Sequence, residues 1–213
     1  MGLVFGIALP VLVGGSCTMF APTAFFQRPA RWLLTVSRER ATATAAPNFA
    51  FDAVIDSIKE DELHKLDLSC LRVVINGAEP IRASSLARFN ARLVEVGLAP
   101  EAVCPGYGLA EATLAVTISS PQQPARIRRV SAERLAQGHV VDLPRSPSST
   151  QTPTPKSLVG CGRVLDGLHL TVVEPDSGRA LPCDTVGEIW VAGSSVGHGY
   201  HRNEDTTGAT FRA

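Results

Sequence analysis

The hydrophobic pattern of residues 22–119 alternates between the helical and the extended period. Apolar residues recur at helical spacing in three stretches, which predict helices that begin near Pro29, Pro47 and Pro80. The apolar, β-rich run at 71–75 predicts a central parallel strand, and short strands are predicted at 41–45 and 102–104. Helices that alternate with strands in this way are typical of an α/β fold, in which helices flank a parallel sheet.

The first 21 residues are predominantly apolar and carry no charge. A secretory signal would begin with basic residues, and none is present. Pro10 and the Gly14-Gly15 pair interrupt the run before it reaches the roughly 20 apolar residues that a membrane-spanning helix requires. The pattern instead predicts a buried helix followed by a buried strand at Cys17–Phe20.

The composition changes after Ser119. Residues 120–157 are rich in Pro, Ser, Thr, Gln and Arg, which indicates a loop or insertion with too few apolar residues to form core. Later runs at 168–173 and 186–192 predict the two strands of a small antiparallel unit. We therefore predict three segments, namely an α/β part at 1–119, an insertion at 120–157 and a β-rich part at 158–213.

Charge and cysteine content narrow the class of protein. The 213 residues include 20 basic and 20 acidic side chains, so no positive surface for nucleic acid or for an anionic membrane is expected. The five cysteines are widely spaced and form no Cys-x-x-Cys pair, which argues against a zinc site. They predict buried thiols in a reducing, cytoplasmic compartment. Stable insertion into a membrane is not expected.

Residues 105–113 combine three chemical features within one turn. The Tyr107 ring is able to stack on a purine, Gly106 and Gly108 allow backbone to approach a ligand, and Glu111 offers oxygen to a hard cation. The same run is also compatible with a strand that ends in a tight turn. Glu111 alone is equally explained by the helix dipole, which favours a carboxylate at a helix start.

Four sequence motifs occur together in an order that favours a nucleotide site at residues 105–113 over a simple tight turn. They are Ala46-Pro47-Asn48-Phe49-Ala50-Phe51-Asp52, Asn76-Gly77-Ala78-Glu79-Pro80, Tyr107-Gly108-Leu109-Ala110-Glu111-Ala112-Thr113 and Val186-Gly187-Glu188-Ile189-Trp190-Val191-Ala192-Gly193. In order and spacing the chain resembles the adenylate-forming enzymes, and most closely the fatty acyl-AMP ligases. The resemblance covers nearly the whole chain. It implies the central fragment of the large N-terminal domain, because the family's phosphate loop and terminal lysine have no counterpart here.

The resemblance implies an activity for the complete enzyme. Such a ligase joins a fatty acid to ATP with Mg²⁺ and transfers the acyl group to an acyl carrier protein, or to a carrier domain of a polyketide or nonribosomal peptide synthase. The fragment alone is expected to be inactive, and no catalytic residue is assigned. Two alternatives fit the same motifs, namely a fatty acyl-CoA synthetase fragment and a non-catalytic acyl- or nucleotide-binding module.

The resemblance also assigns a nucleotide site. Gly77 and Ala78 would pack on one face of the adenine and Tyr107 on the other, with the Gly106 backbone at its exocyclic amine. Glu79 is a neighbour of the ring, and Gly108 completes the site. Read without the resemblance, Gly77 is an ordinary strand-to-helix turn before Pro80.

A metal ligand, an acyl pocket and an acceptor segment are implied in the same way. Glu111 would hold Mg²⁺ at the ATP phosphates, and Asn48, Phe49 and Phe51 would begin an apolar pocket for the fatty tail. Aromatic residues on one helix face are also what a simple core requires. Residues 120–157 lie where an insertion in this branch is associated with poor use of coenzyme A.

Overall fold

The computed structural model describes residues 2–144 and 154–211, which form two compact units. Within the described residues, unit 1 comprises 2–107, 118–126 and 159–162. Unit 2 comprises 108–117, 127–144, 154–158 and 163–211. The chain thus passes repeatedly from one unit to the other, and the segment boundaries inferred from composition stay a prediction.

Unit 1 is built on three parallel strands that lie in sequence order: β1 (Ala43–Ala46), β2 (Val73–Asn76) and β3 (Val103–Tyr107). The helices around them are α2 (Pro22–Gln27), α3 (Arg31–Glu39), α4 (Asn48–Ser57), α5 (Glu60–Leu63) and α6 (Ala83–Leu93). Helix α4 begins directly after Pro47, whose missing N–H is no loss at a helix start. The predicted α/β fold with a parallel sheet is confirmed.

Three aromatic side chains from α3, α4 and α6 form the centre of the unit 1 core. Phe51 and Phe89 are fully buried with ring centroids 4.3 Å apart, and Trp32 lies 5.6 Å from Phe51 and 6.0 Å from Phe89. The Trp32 Nε1 donates to the Thr44 hydroxyl of β1 at 2.9 Å, so its one polar group is satisfied. This cluster fixes the three helices against one another and anchors α3 to the sheet.

The N-terminal residues differ from the prediction. A π-helical turn at Val4–Ala8 continues into α1 (Leu9–Leu12), so a helix is present, but Leu12 is 81% exposed and no residue of either turn is buried. Residues Cys17–Phe20 form no strand. The helix predicted from the apolar pattern is therefore present. Its predicted burial is wrong, because the described residues supply no packing partner that covers it. None of the helices in the described part of the chain has the length and apolarity to cross a membrane.

Unit 2 contains the predicted antiparallel pair. Strands β8 (Leu168–Val173) and β9 (Glu188–Gly193) are paired along their whole length, with Leu168 opposite Gly193. The last helix is α8 (Glu204–Phe211). The short strand β7 (Arg163–Val164) also lies in unit 2, whereas β4 (Thr117–Ile118) has one residue in each unit.

Within the 120–157 segment, the described residues 120–144 and 154–157 contain regular structure that the composition does not predict. They include β5 (Ile127–Ser131), which pairs with β6 (Pro155–Val159), and the short helix α7 (Ala132–Ala136). The Ser131 hydroxyl accepts a hydrogen bond from the Arg134 N–H at 3.2 Å and caps α7. Val130 is fully buried, so the expectation that this segment forms no core is wrong there. Residues 145–153, the centre of the Pro- and Ser-rich stretch, lie outside the described residues.

The cysteines also correct an expectation. Cys104 alone is buried, Cys70 and Cys161 are half-buried, and Cys17 and Cys183 are exposed. Burial raises the pKa of the Cys104 and Cys161 thiols, which disfavours their thiolate forms. The prediction that the cysteines are buried thiols is therefore wrong for Cys17 and Cys183.

A carboxylate joins α5 to the segment before α3. Glu62 accepts hydrogen bonds from the Arg28 Nε at 2.9 Å and from the Lys59 backbone N–H at 3.1 Å. The Arg28 hydrogen bond, followed by the Lys59 hydrogen bond, holds the pKa of Glu62 below its usual range. Because the folded-state pKa is depressed, this stabilisation is present above the unfolded pKa of about 4.3 and is lost as the pH falls through the folded pKa.

We therefore expect Glu62→Gln to lower the free energy of unfolding at pH 7 by about 1–3 kcal/mol. The difference from the original chain should shrink as the pH is lowered from about 5 to 3, in urea unfolding series at each pH. Glu95→Gln, an exposed carboxylate in the same unit, is the control and should have little effect. A difference that grew toward acid pH would contradict the assignment.

Candidate functional site

The carboxyl ends of β2 and β3 bring two predicted site residues together. Asn76 ends β2 opposite Pro105 of β3, and the next residues along each strand direction are Gly77 and Gly106. A Cβ on Gly77 would lie 2.8 Å from the Gly106 carbonyl oxygen, which is closer than real Cβ contacts. Glycine at 77 is therefore required by the close approach of the two backbones, at the end of a parallel sheet where ligands bind.

Ala78 follows in an unusual backbone conformation. Its φ is 68°, in the left-handed region that non-glycine residues rarely adopt. Such strain persists only where the surroundings enforce it, and it is concentrated at functional sites. Gly77, Ala78, Gly106 and Tyr107 are thus gathered at one end of the unit 1 sheet, while their contact with adenine stays a prediction.

Glu79 and Asn48 have local structural partners. The Glu79 carboxylate accepts a hydrogen bond from the Phe49 backbone N–H at 2.6 Å, which satisfies one free donor at the start of α4. The Asn48 amide donates to the Ser85 hydroxyl at 3.1 Å and accepts from the Arg82 N–H at 3.1 Å. Asn48 is 1% exposed, so its side chain ties α4 to α6 and faces no open pocket.

An apolar cavity of about 310 Å³ lies beside the start of α4 in unit 1. Of the three predicted acyl-pocket residues, Phe49 lines it, 41% exposed and stacked on Phe26 at a centroid distance of 6.1 Å. Phe51 and Asn48 are buried among the helices and do not line it. The other lining residues are Phe20, Pro22, Phe25, Phe26, Trp32, Ala45, Ala46, Pro47 and Ala50.

Phe25 and Phe26 line the cavity, although the sequence motifs did not predict them there. Two successive aromatic residues on a short helix cannot both face one core, so one of them is directed elsewhere. Phe26 is 67% exposed, which fits this reasoning. The adjacent pair was therefore a usable signal.

A larger cleft of about 660 Å³ lies along the polar side of α3 and includes four basic side chains. Three of them already have carboxylate partners: Arg28 with Glu62, Arg38 with Glu39 and Lys65 with Asp61. Its positive charge is thus largely matched locally, and we assign it no ligand.

In unit 2, Glu111 lies in a 3₁₀ turn at Ala110–Ala112. The chain doubles back around it, since a Cβ on Gly108 would lie 1.8 Å from the Leu114 carbonyl oxygen. The Tyr200 hydroxyl donates to the Glu111 carboxylate, and this hydrogen bond is the main reason that the pKa of Glu111 lies below its usual range. Glu111 is therefore ionised at neutral pH, and none of the ion pairs found among the described residues involves it.

The donor set at Glu111 suits Mg²⁺ bound together with phosphate. No group of three or more His, Cys, Asp or Glu side chains able to hold a metal ion occurs within residues 2–144 and 154–211. Mg²⁺ commonly takes one or two protein carboxylates and completes its shell with water and substrate phosphates. A single ionised carboxylate that retains unused lone pairs fits that mode.

Comparison with known proteins decides the family. Residues 1–201 match the family described as AMP-binding enzyme. The chain belongs to the AMP-binding enzymes. The resemblance to fatty acyl-AMP ligases that the motifs indicated is also confirmed by individual relatives.

Two curated relatives and one solved structure show this similarity. This chain is 37% identical over 213 residues to FadD25 of Mycobacterium tuberculosis, named as a fatty-acid–CoA ligase. It is 37% identical over 212 residues to JamA of Moorena producens, a medium-chain-fatty-acid–[acyl-carrier-protein] ligase. Each alignment covers 100% of this chain and 35% of the relative, so the chain spans about a third of their length.

The solved structure is a fatty acyl-adenylate ligase from Legionella pneumophila in complex with acyl adenylate and pyrophosphate. It superposes with a TM-score of 0.89 at 34% identity, over 98% of this chain and 35% of that one. Sequence identity of this size supports the AMP-binding family assignment beyond a likeness of fold alone.

We expect Gly77→Ala to lower the free energy of unfolding by about 1–3 kcal/mol, because the added methyl group meets backbone that has no room to move. Urea unfolding followed by circular dichroism measures it. Gly6→Ala is the control in the same unit, where the nearest atom to an added Cβ is the Met19 Sδ at 3.9 Å. Equal stability of the two variants would show that the Gly77–Gly106 approach is not a constraint.

Proposed function

We propose that this chain is the nucleotide- and acyl-binding part of a fatty acyl-AMP ligase. The complete enzyme would join a fatty acid to ATP, release pyrophosphate, and transfer the acyl group to the thiol of an acyl carrier protein or carrier domain. The observation that carries the proposal is the close approach of Gly77 to Gly106 at the carboxyl ends of β2 and β3. The names of JamA and of the Legionella ligase support the acyl-adenylate chemistry.

In the proposed reaction the residues of unit 1 bind and orient the substrates. Gly77 and Ala78 present a surface without bulky side chains to one face of the adenine, and Tyr107 offers its ring to the other. Base stacking on an aromatic ring contributes about 1–3 kcal/mol. Gly106 places backbone at the edge of the base, and holding ATP in this way aligns its α-phosphate with the fatty acid carboxylate.

The cavity beside α4 is the proposed entrance for the fatty tail. Its lining is almost wholly apolar, and Phe25, Phe26 and Phe49 form a set of ring contacts along it, with centroid distances from 5.8 to 6.2 Å. An apolar lining favours a hydrocarbon chain because the chain leaves water on entry. This assigns the pocket to Phe49 with Phe25 and Phe26, in place of Asn48 and Phe51.

In unit 2, Glu111 is the proposed Mg²⁺ ligand. Mg²⁺ would neutralise charge on the phosphate oxygens as the carboxylate of the fatty acid forms its bond to the α-phosphorus and pyrophosphate leaves. The protein contributes an ionised carboxylate in a fixed turn. Gly108 allows that turn, because no side chain fits at this position.

The main alternative concerns the acceptor of the acyl group, which is either a carrier protein or coenzyme A. The name of FadD25 favours coenzyme A, whereas that of JamA favours a carrier protein. Residues 120–157 are the proposed determinant, acting from a segment that contains β5, α7 and the buried Val130. Comparing acyl transfer to coenzyme A and to a carrier protein separates the two. A non-catalytic module would form no acyl adenylate from ATP and a fatty acid, and would therefore transfer no acyl group to either acceptor.

Stacking by Tyr107 is tested by AMP binding to the chain, measured by calorimetry. We expect Tyr107→Ala to weaken binding about 5- to 150-fold, equivalent to the 1–3 kcal/mol of a stacked base. Tyr107→Phe keeps the ring and should bind within about twofold of the original chain. If the alanine variant binds AMP as well as the original chain does, Tyr107 does not stack on the base.

The metal role is tested in a ligase that contains this chain with the remaining length seen in its relatives. Fatty-acid-dependent exchange of pyrophosphate into ATP should fall by at least about 100-fold in Glu111→Gln, because about 2.7 kcal/mol of transition-state stabilisation is lost. Glu101→Gln, a half-buried glutamate of unit 1, is the control and should keep the rate. An unchanged rate and Mg²⁺ dependence in Glu111→Gln would remove Glu111 from the metal site.

A further inference from the structure

The Glu111 turn is held by a second segment of unit 2, residues 195–200. The Gly197 N–H donates to the Glu111 carbonyl oxygen at 2.7 Å, and the Thr113 hydroxyl donates to the Ser195 carbonyl oxygen at 2.7 Å. The Tyr200 hydroxyl donates to Oε1 of Glu111. The backbone and the carboxylate of Glu111 are therefore both fixed from the same segment.

Tyr200 is itself held by α8. Its backbone N–H donates to the Thr207 hydroxyl at 2.9 Å, and its ring packs edge-on against Phe211 at a centroid distance of 5.3 Å. Thr207 is 3% exposed, so this hydrogen bond is shielded from water. Gly199 has a φ of 150°, and a Cβ there would lie 2.4 Å from the Thr207 Cγ2, so the contact between this segment and α8 leaves no room for a side chain.

Backbone strain marks the same turn. Thr113 ends the 3₁₀ turn with φ 71° and ψ −54°, a conformation that a β-branched residue rarely adopts. Its hydroxyl bond to Ser195 is one of the contacts that enforce this conformation. Strain at a turn whose carboxylate is also fixed points to a need for exact placement of that carboxylate.

We propose that Tyr200 is a positioning residue that orients the Glu111 carboxylate toward a divalent cation. The hydroxyl occupies one lone pair of Oε1 and fixes the side-chain torsions, which leaves the other carboxylate oxygen directed to the metal. A glutamate that is not held in this way loses rotamer freedom when it binds an ion, and binding is weaker for that reason. The inference rests on the proposed role of Glu111 in cation binding.

The test is a titration of the isotopically labelled 213-residue chain with Mn²⁺ alone, followed by paramagnetic broadening of the Ala110, Glu111 and Ala112 amide signals. Tyr200→Phe removes the hydroxyl and keeps the ring against Phe211, and it should raise the apparent Kd about three- to tenfold. Its thermal midpoint should stay close to that of the original chain. Thr207→Val, which loosens the Tyr200 backbone, should shift the Kd in the same direction, whereas Thr206→Val at the exposed neighbouring position should leave it unchanged.

The Glu111→Gln variant distinguishes the positioning role of Tyr200 from the proposed cation binding by Glu111. If broadening persists unchanged in Glu111→Gln, the metal role of Glu111 is wrong and the inference is overturned with it. If Glu111→Gln abolishes broadening while Tyr200→Phe keeps the original Kd, Glu111 binds the cation without help and the inference alone is overturned. Should Tyr200→Phe disturb the amide spectrum of residues 195–200, the folded Thr207→Val variant decides, and an unchanged Kd there also overturns the inference.

Discussion

The approach of the Gly77 and Gly106 backbones is the constraint on which the candidate nucleotide site depends. Parallel pairing of β2 with β3 carries both glycines to the same end of the sheet. A Cβ on Gly77 would lie 2.8 Å from the Gly106 carbonyl oxygen, which leaves no room for a side chain at 77. Helices α4 and α6, which flank these strands, pack on each other through the contact between Phe51 and Phe89.

The end of this sheet combines features that lower stability. Ala78 has a positive φ, and Asn76 is fully buried with neither polar atom of its side-chain amide hydrogen-bonded within the described structure. A buried polar group without a partner costs about 1–3 kcal/mol. Proteins retain such local conflicts chiefly where function requires them, and here they directly precede and follow Gly77.

Three of the glutamates differ in the partners that their carboxylates have. Glu79 satisfies the first turn of α4, and Glu62 joins α5 to Arg28, so both have structural partners nearby. Glu111 receives a single side-chain hydrogen bond, from Tyr200, and the described ion pairs do not include it. This contrast separates Glu111, as the candidate for a ligand, from Glu62 and Glu79, whose oxygens have partners that stabilise the fold.

The sequence by itself determined the alternation of helices and strands, the antiparallel pair in unit 2 and the family, because these depend on local periodicity, prolines and short motifs. It did not determine burial. The apolar N-terminal helix is exposed, Phe51 belongs to the core while Phe49 lines the cavity, and Val130 is buried within a polar segment. Nor did it reveal that Tyr200 holds Glu111, 89 positions away. Such contacts join residues distant in the chain, and only the packing of whole elements decides which side chains meet.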